Sequence, residues 1–260
     1  MLFNLPAMNN KAPSSDRLAR EAQFHDHLYS AGTRQAAEKY YAVSRRSREA
    51  YERLLLEEAK RGERILEYGC GQGSYAFELA AAGAHVIGID ISAVAIEQSR
   101  NEARVRNLSN RAEFCVMNAE RTTFADNSFD LVCGTGILHH LNLSASYGEI
   151  ARILKPAGRA IFVEPLGHNP VINWYRRNTP AMRTPDEHPL LMDDLRLAGT
   201  FFRRVDLRYY HCLDLLTVPL RNSFLFTPVC YVASGIDRLM MTVIPPFRRW
   251  AWTVTMVMVK

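Results

Sequence analysis

Lysine is scarce in this chain. It stands only at positions 11, 39, 60, 155 and 260, so nearly all of the 32 basic residues are arginines. No run of five or more basic residues occurs, which leaves no polybasic arm of the kind that binds nucleic acid, and no nucleic-acid partner is expected. The five cysteines (Cys70, Cys115, Cys133, Cys212, Cys230) lack any C-x-x-C spacing. That pattern excludes the common structural zinc motifs, fits reduced thiols, and points to a cytoplasmic setting with no metal. The opening "MLFNLPAMNNKAPSSDR" has no long apolar segment and is not read as a signal peptide. No stretch of 18 consecutive apolar residues is present, so a spanning helix is not expected.

What is present is an ordinary globular composition, 48% hydrophobic and 23% charged over 260 residues, enough for one large α/β domain with its own core. Residues 1–16 read as a loose lead-in. Residues 17–60 read as a helical cover, because in "SRRSREAYERLLLEEAKR" Tyr51, Leu54 and Leu55 recur at helical intervals. From Arg64 a rhythm begins. "RILEYG", "HVIGID", "RAEFCVM", "FDLVCG" and "RAIFVEP" read as buried strands. "SYAFELAAAG", the Ser92-capped "AVAIEQSRNEARVRN" and "SASYGEIARIL", closed by the turn "KPAG", read as helices between them. Strand and helix alternating every dozen residues is the mark of a doubly wound parallel sheet. We place the boundaries at 1–60 for the lead-in and cover and 61–260 for the domain. The domain has a polar, proline-rich insertion at 166–189, read as a loop-like substrate lid, and an apolar helical insertion at 213–247. "LLMDDLRLAG", "FRRVDLRYY" and the closing "WAWTVTMVMVK" supply a last helix and two strands.

The first strand-to-helix turn, "LEYGCGQGS" (66–74), carries Gly69, Gly71 and Gly73. Such a turn lies at the carboxyl end of the strands, where open α/β sheets bind ligands. A dinucleotide fingerprint G-x-G-x-x-G needs the third glycine one residue later, which disfavours an oxidoreductase. Asp90 ends the second strand, 17 residues after Gly73, where a carboxylate meets ribose hydroxyls; its plainer reading is a helix-dipole charge.

The turn, with Glu67 two places before G-x-G-x-G, resembles motif I of the class I S-adenosylmethionine-dependent methyltransferases, and specifically their small-molecule "type 11" branch. Three further elements carry the resemblance in the same order. "MNAERTTFADNSFDLV" (117–132) is similar to the family's gDaexlPFxdxsFDxV stretch, with Asn118 where Asp is usual. "GTGILHHL" (134–141) is similar to the exit of the fourth strand, and "LKPAG" (154–158) to the turn before the fifth. The likeness covers roughly residues 60–165. It implies a Rossmann-like, seven-stranded sheet of order 3-2-1-4-5-7-6 with the last strand antiparallel, and S-adenosyl-L-methionine as cofactor. In it Glu67, Gly69, Gly71 and Gly73 form the turn, Asp90 takes the ribose and Ile91 packs on adenine. Asn118 and Ala119 sit beside the base, and Gly134 and Thr135 face the methionine moiety.

An acceptor that must lose a proton needs a base. His139, His140, Glu164 and His168 stand at or just beyond the ligand edge; the two neighbouring histidines read equally as structural. In the first insertion Asn169, Tyr175, Arg183 and His188 are candidates for holding a small-molecule acceptor, the alternative being a self-paired surface loop. The second insertion is expected to turn Phe224, Phe226, Tyr231 and Met240 inward as a pocket lining. Its alternative is peripheral membrane contact through 213–250, with Arg238, Arg248 and Arg249 at the rim. The reading is therefore methyl transfer to a small, fairly apolar metabolite. Methylation of RNA or protein, and a non-catalytic binding module on the same fold, are its rivals. The oligomeric state is not legible.

Overall fold

The computed structural model describes residues 15–31, 43–73, 75–179, 184 and 186–260. Residues 64–68 begin its sheet because apolar side chains there can be covered on both faces: Ile65, Leu66, Glu67 and Tyr68 are all buried, as parallel strands between helix layers require. β1 (Arg64–Tyr68), β2 (His85–Asp90), β3 (Ala112–Val116), β4 (Phe129–Thr135) and β5 (Leu154–Pro165) pair in parallel. β7 (Thr253–Val259) runs antiparallel to both β5 and β6 (Arg204–Tyr210). The order is β3-β2-β1-β4-β5-β7-β6, as the resemblance implies. The order reverses at β1, which lies between β2 and β4, so the crevice of the fold opens over their carboxyl ends.

Helices α1 (Ser15–Ala31), α2 (Arg45–Ala59), α3 (Ala76–Ala81), α4 (Ala93–Val105), α5 (Leu143–Ile153), α6 (Pro170–Arg177), α7 (Met192–Ala198) and α8 (Phe226–Val243) complete the described chain. Local chemistry sets several of their starts. Ser92 caps α4 by accepting from the Ala95 amide at 3.1 Å, and Asn142 caps α5 by accepting from Ala145 at 3.0 Å. On α2, Tyr51 and Leu55 are fully buried against the sheet. Residues 1–14 of the lead-in lie outside the described residues.

Three expectations change. "KPAG" does not precede the fifth strand but lies within it: β5 starts at Leu154, and the irregularity shows instead as a register shift opposite Phe129 and Leu131, with Ala157 at φ +62°. The first insertion is not merely loop. Asn169 and Pro170 open α6, the asparagine oxygen accepting from Val171 at 3.0 Å and Ile172 at 3.1 Å. The second insertion is helical, but it does not line the crevice. α8 buries only Ser234, Asp237 and Met241 of its own length, whereas Phe224 and Tyr231 are 89% and 73% exposed. Asp237 anchors it, accepting from the Cys212, Leu213 and Asp214 amides at 3.0, 2.9 and 3.2 Å. Burial pushes that carboxyl up despite those three donors. Among the described residues no helix is long and apolar enough to cross a membrane.

Candidate active site

Gly69, Gly71 and Gly73 all take positive φ, at +60°, +51° and +81°. Residues with a Cβ pay for that conformation, which is why the turn is written in glycine. Space argues the same way. A Cβ at Gly71 would fall 2.5 Å from the Tyr29 hydroxyl, and one at Gly69 2.8 Å from Ile137 Cδ1. Two acids hold the turn in shape. Asp90 accepts from the Gly71 amide at 2.9 Å through Oδ2 and from the Ser92 amide at 2.8 Å through Oδ1. Glu67 accepts from the Tyr75 amide at 3.1 Å. Both carboxylates are buried, and their backbone donors supply the compensation that burial demands.

A cleft opens beside this turn, and the strand ends bring seven of the residues singled out in the sequence to its wall: Gly69, Asp90, Ile91, Asn118, Ala119, Thr135 and His140. The others fall behind it. Glu67 lies under the turn, Gly71 is covered by the Tyr29 hydroxyl, Gly73 packs against the Phe77 ring, and Gly134 is wedged among Ile137, Phe162 and the Tyr68 carbonyl. The Asn118 side-chain oxygen, assigned to adenine in the sequence, accepts from the Glu120 amide at 2.9 Å and so shapes its own turn.

The candidate bases separate. Glu164 is fully buried, with Oε1 accepting from the Ile137 and Leu138 amides, each at 2.9 Å, and Oε2 2.7 Å from His139 Nδ1. It positions the loop after β4 and has no face on the cleft. His139 is buried beside it. His168 accepts from the Met192 amide at 3.2 Å, tying the first insertion to α7. His140 alone among the four lines the cleft, its ring 4.3 Å from that of His139.

What faces His140 was not read from the sequence. Arg17, Glu21, His25 and Tyr29 of α1 follow one another at every fourth position, so they share one helix face, and all four line the cleft. Glu21 Oε2 lies 3.3 Å from His140 Nδ1 and 3.6 Å from His25 Nε2. Burial works to raise its carboxyl, but the neighbouring His140, His25 and Thr184 outweigh it and hold the group well below the usual carboxylate range. Arg17 donates to the His140 carbonyl at 2.7 Å and pairs with Glu120. Asp26 accepts from the Ser92 hydroxyl and from the Val94 amide. α1 is thus tied across the mouth of the cleft. Ligand atoms of Glu21, His25 and His140 lie within 4.8 Å of one another, as do those of His139, His140 and Glu187, so a metal ion could be held at either group.

The acceptor candidates of the first insertion are not gathered at the cleft. Asn169 is the cap of α6 and donates to the Trp250 carbonyl at 2.6 Å. Tyr175 packs with Ile172, Leu215 and Val218 in a small separate core. His188 is exposed, its amide donating to the His139 carbonyl at 3.0 Å. Arg183 lies outside the described residues.

Comparison with known proteins agrees with this geometry. Residues 66–162 match the family described as a methyltransferase domain. A sterol 24-C-methyltransferase of Gibberella zeae is 39% identical over 101 residues, covering 38% of this chain and 26% of that protein. An aklanonic acid methyltransferase of a Streptomyces species is 36% identical over 136 residues, covering 50% of this chain and 57% of that protein. The chain thus spans between about a quarter and just over half of these relatives' length. In fold it is similar to geranyl diphosphate C-methyltransferase from Streptomyces coelicolor, with a TM-score of 0.61 at 15% identity over 96% of this chain and 98% of that one.

Proposed function

Because residues 66–162 form a methyltransferase domain on the class I fold, we propose that this chain moves a methyl group from S-adenosylmethionine to a small, fairly apolar acceptor, on oxygen, nitrogen or carbon. One observation carries the reading: Gly69 of the glycine turn, the Asp90–Ile91 corner, the Asn118–Ala119 turn and Thr135 converge on one cleft at the carboxyl ends of β1 to β4. The residues present suit the cofactor. Gly69 puts bare backbone on the cleft wall, a buried carboxylate at Asp90 has lone pairs beyond those its two amides use, and Ile91 and Ala119 offer apolar surface for a base. The relatives named above methylate a sterol and aklanonic acid, both small molecules.

S-adenosylmethionine supplies, when bound, a methyl group already activated by its sulfonium, so the protein's part is alignment, exclusion of water and removal of a proton. Asp90 and the glycine turn fix the cofactor end of the cleft. The α1 face closes the opposite side with Tyr29, His25 and Glu21. His140 is the base for an acceptor hydroxyl. Glu21 Oε2 lies 3.3 Å from its Nδ1, so the carboxylate faces the charge the ring gains. Glu164 fixes the His139–His140 turn from below and stays outside the proton path.

Purified protein incubated with S-adenosylmethionine and a panel of polyketide, quinol and sterol acceptors tests the reading. The expected result is formation of S-adenosylhomocysteine that depends on one acceptor class and yields a product heavier by one methylene unit. Turnover on RNA or protein alone, or none although the cofactor binds, would replace it with one of its rivals.

A further inference from the structure

The second insertion leaves an apolar surface that the methyl-transfer reading does not use. On α8 the side chains of Leu225 (just before the helix), Val229, Val232, Ile236, Leu239 and Val243 are all exposed. Their spacing of four, three, four, three and four residues sets them in one stripe along the solvent face. Phe224 and Tyr231 widen that stripe on one side, and Trp250 stands at the end of the short helical turn that follows. Scattered apolar residues need no account, but a continuous face of this length on an 18-residue helix does.

Within the segment that carries it, the exposed charges are all of one sign. Between Leu215 and Trp252 the only acid is Asp237, which is buried, whereas the basic residues are Arg221, Arg238, Arg248 and Arg249. Arg221, Arg238 and Arg249 are exposed, and Arg248 is partly buried, its Nε donating to the Met241 carbonyl at 2.7 Å. We propose that this face docks on an anionic membrane surface, with the aliphatic stripe and the aromatic rings of Phe224, Tyr231 and Trp250 at the acyl boundary and the arginines among the headgroups. An apolar face wider than a two-helix seam, rimmed by arginine and aromatic rings, is the design of an interfacial helix. A second copy of the chain is a poorer occupant, since like rims would set these arginines against one another with no exposed acid in the segment to answer them. The buried face of α8 stays fixed to the fold through Asp237, so the helix needs no unfolding to lie flat. The start of α8 is held as well, because Phe226 packs on the small core that Ile172 and Tyr175 of α6 share with Leu215 and Val218.

Flotation of the full chain with vesicles tests this, using one part phosphatidylserine to two parts phosphatidylcholine against phosphatidylcholine alone. The expected result is binding to the anionic vesicles that weakens as salt rises and that falls roughly fivefold for each exposed arginine removed by substitution. The double variant Val232→Asp/Leu239→Asp should lose about tenfold or more of the binding while its melting curve stays that of the wild type, because both side chains stand in solvent. Should that variant fail to fold, Arg238→Glu/Arg249→Glu reads the electrostatic half alone. No flotation, or flotation that neither variant reduces, overturns the proposal. So does a wild-type dimer in light scattering that Val232→Asp/Leu239→Asp splits without any vesicle binding, which would make the face a self-association seam. The assay needs neither cofactor nor acceptor, so its failure would leave the methyl-transfer reading standing.

Discussion

Replacing Asp90 by asparagine removes one charge and one acceptor while keeping the shape of the side chain. In the folded protein both carboxylate oxygens already serve the backbone, at 2.9 Å from the Gly71 amide and 2.8 Å from the Ser92 amide. An amide side chain can answer only one of these donors. The other then faces an NH₂ group in a buried site, at a cost of about 1–3 kcal/mol in stability. Cofactor binding should weaken as well. A charged acceptor to ribose hydroxyls contributes about 1.5–3 kcal/mol per bond, and the neutral amide forfeits most of one such bond and weakens the other. We expect Asp90→Asn to bind S-adenosylhomocysteine about 2 kcal/mol less tightly, roughly thirtyfold in affinity. Calorimetric titration reads the affinity, and urea unfolding read alongside it separates a damaged turn from a lost ribose contact. Affinity within threefold of wild type, with the stability loss present, would show that Asp90 holds the turn and nothing else.

Three further outcomes are expected. His140→Asn should lower kcat by about two to four orders of magnitude on a hydroxyl acceptor, with Glu21→Gln following in the same direction, because the imidazole and its carboxylate act as one base; turnover within threefold of wild type in both would place the base elsewhere. Glu164→Gln should cost about 1.5–3 kcal/mol in urea unfolding, since it strips the charge from the acceptor of His139 Nδ1 and leaves the Ile137 and Leu138 amides served; an unchanged midpoint would refute its positioning role. Glu63 is raised to about 7 from the ordinary 4.5 by burial and by the neighbouring carboxylates of Glu58 and Asp130, so the folded state holds this proton more tightly than the unfolded chain. Its stability contribution is full below 4.5 and is lost as pH rises to about 7. Melting curves across that interval should show Glu63→Gln losing less stability than wild type, and parallel losses would contradict the shift.

Much of the fold was legible because it rests on local signals. The glycine turn, the cap at Ser92, and the alternation of strand with helix each sit within a few residues of sequence, and the family resemblance added the sheet order. The wall of the cleft was legible where strand ends carry it, at Asp90, Ile91 and Thr135. The α1 face was not, although its signal was present in the every-fourth spacing of Arg17, Glu21, His25 and Tyr29. Its meaning depends on contacts such as Arg17 to the His140 carbonyl, 123 residues away, which no local pattern encodes. The first insertion misled for the opposite reason. Asn169 and Tyr175 have the polar and aromatic character of binding residues, but a cap and a small core claimed them. The apolar content of the second insertion was plain, and the direction it faces was not, because periodicity defines a helix face without saying what covers it.

The most direct measurement is a crystal structure of the full chain grown with S-adenosylhomocysteine. We expect its homocysteine end against Gly69 and Thr135, the ribose hydroxyls on Asp90, and the adenine between Ile91 and Ala119, with the α1 face closing over the sulfur. The cofactor product bound elsewhere, or a dinucleotide seated on the glycine turn in its place, would contradict the account.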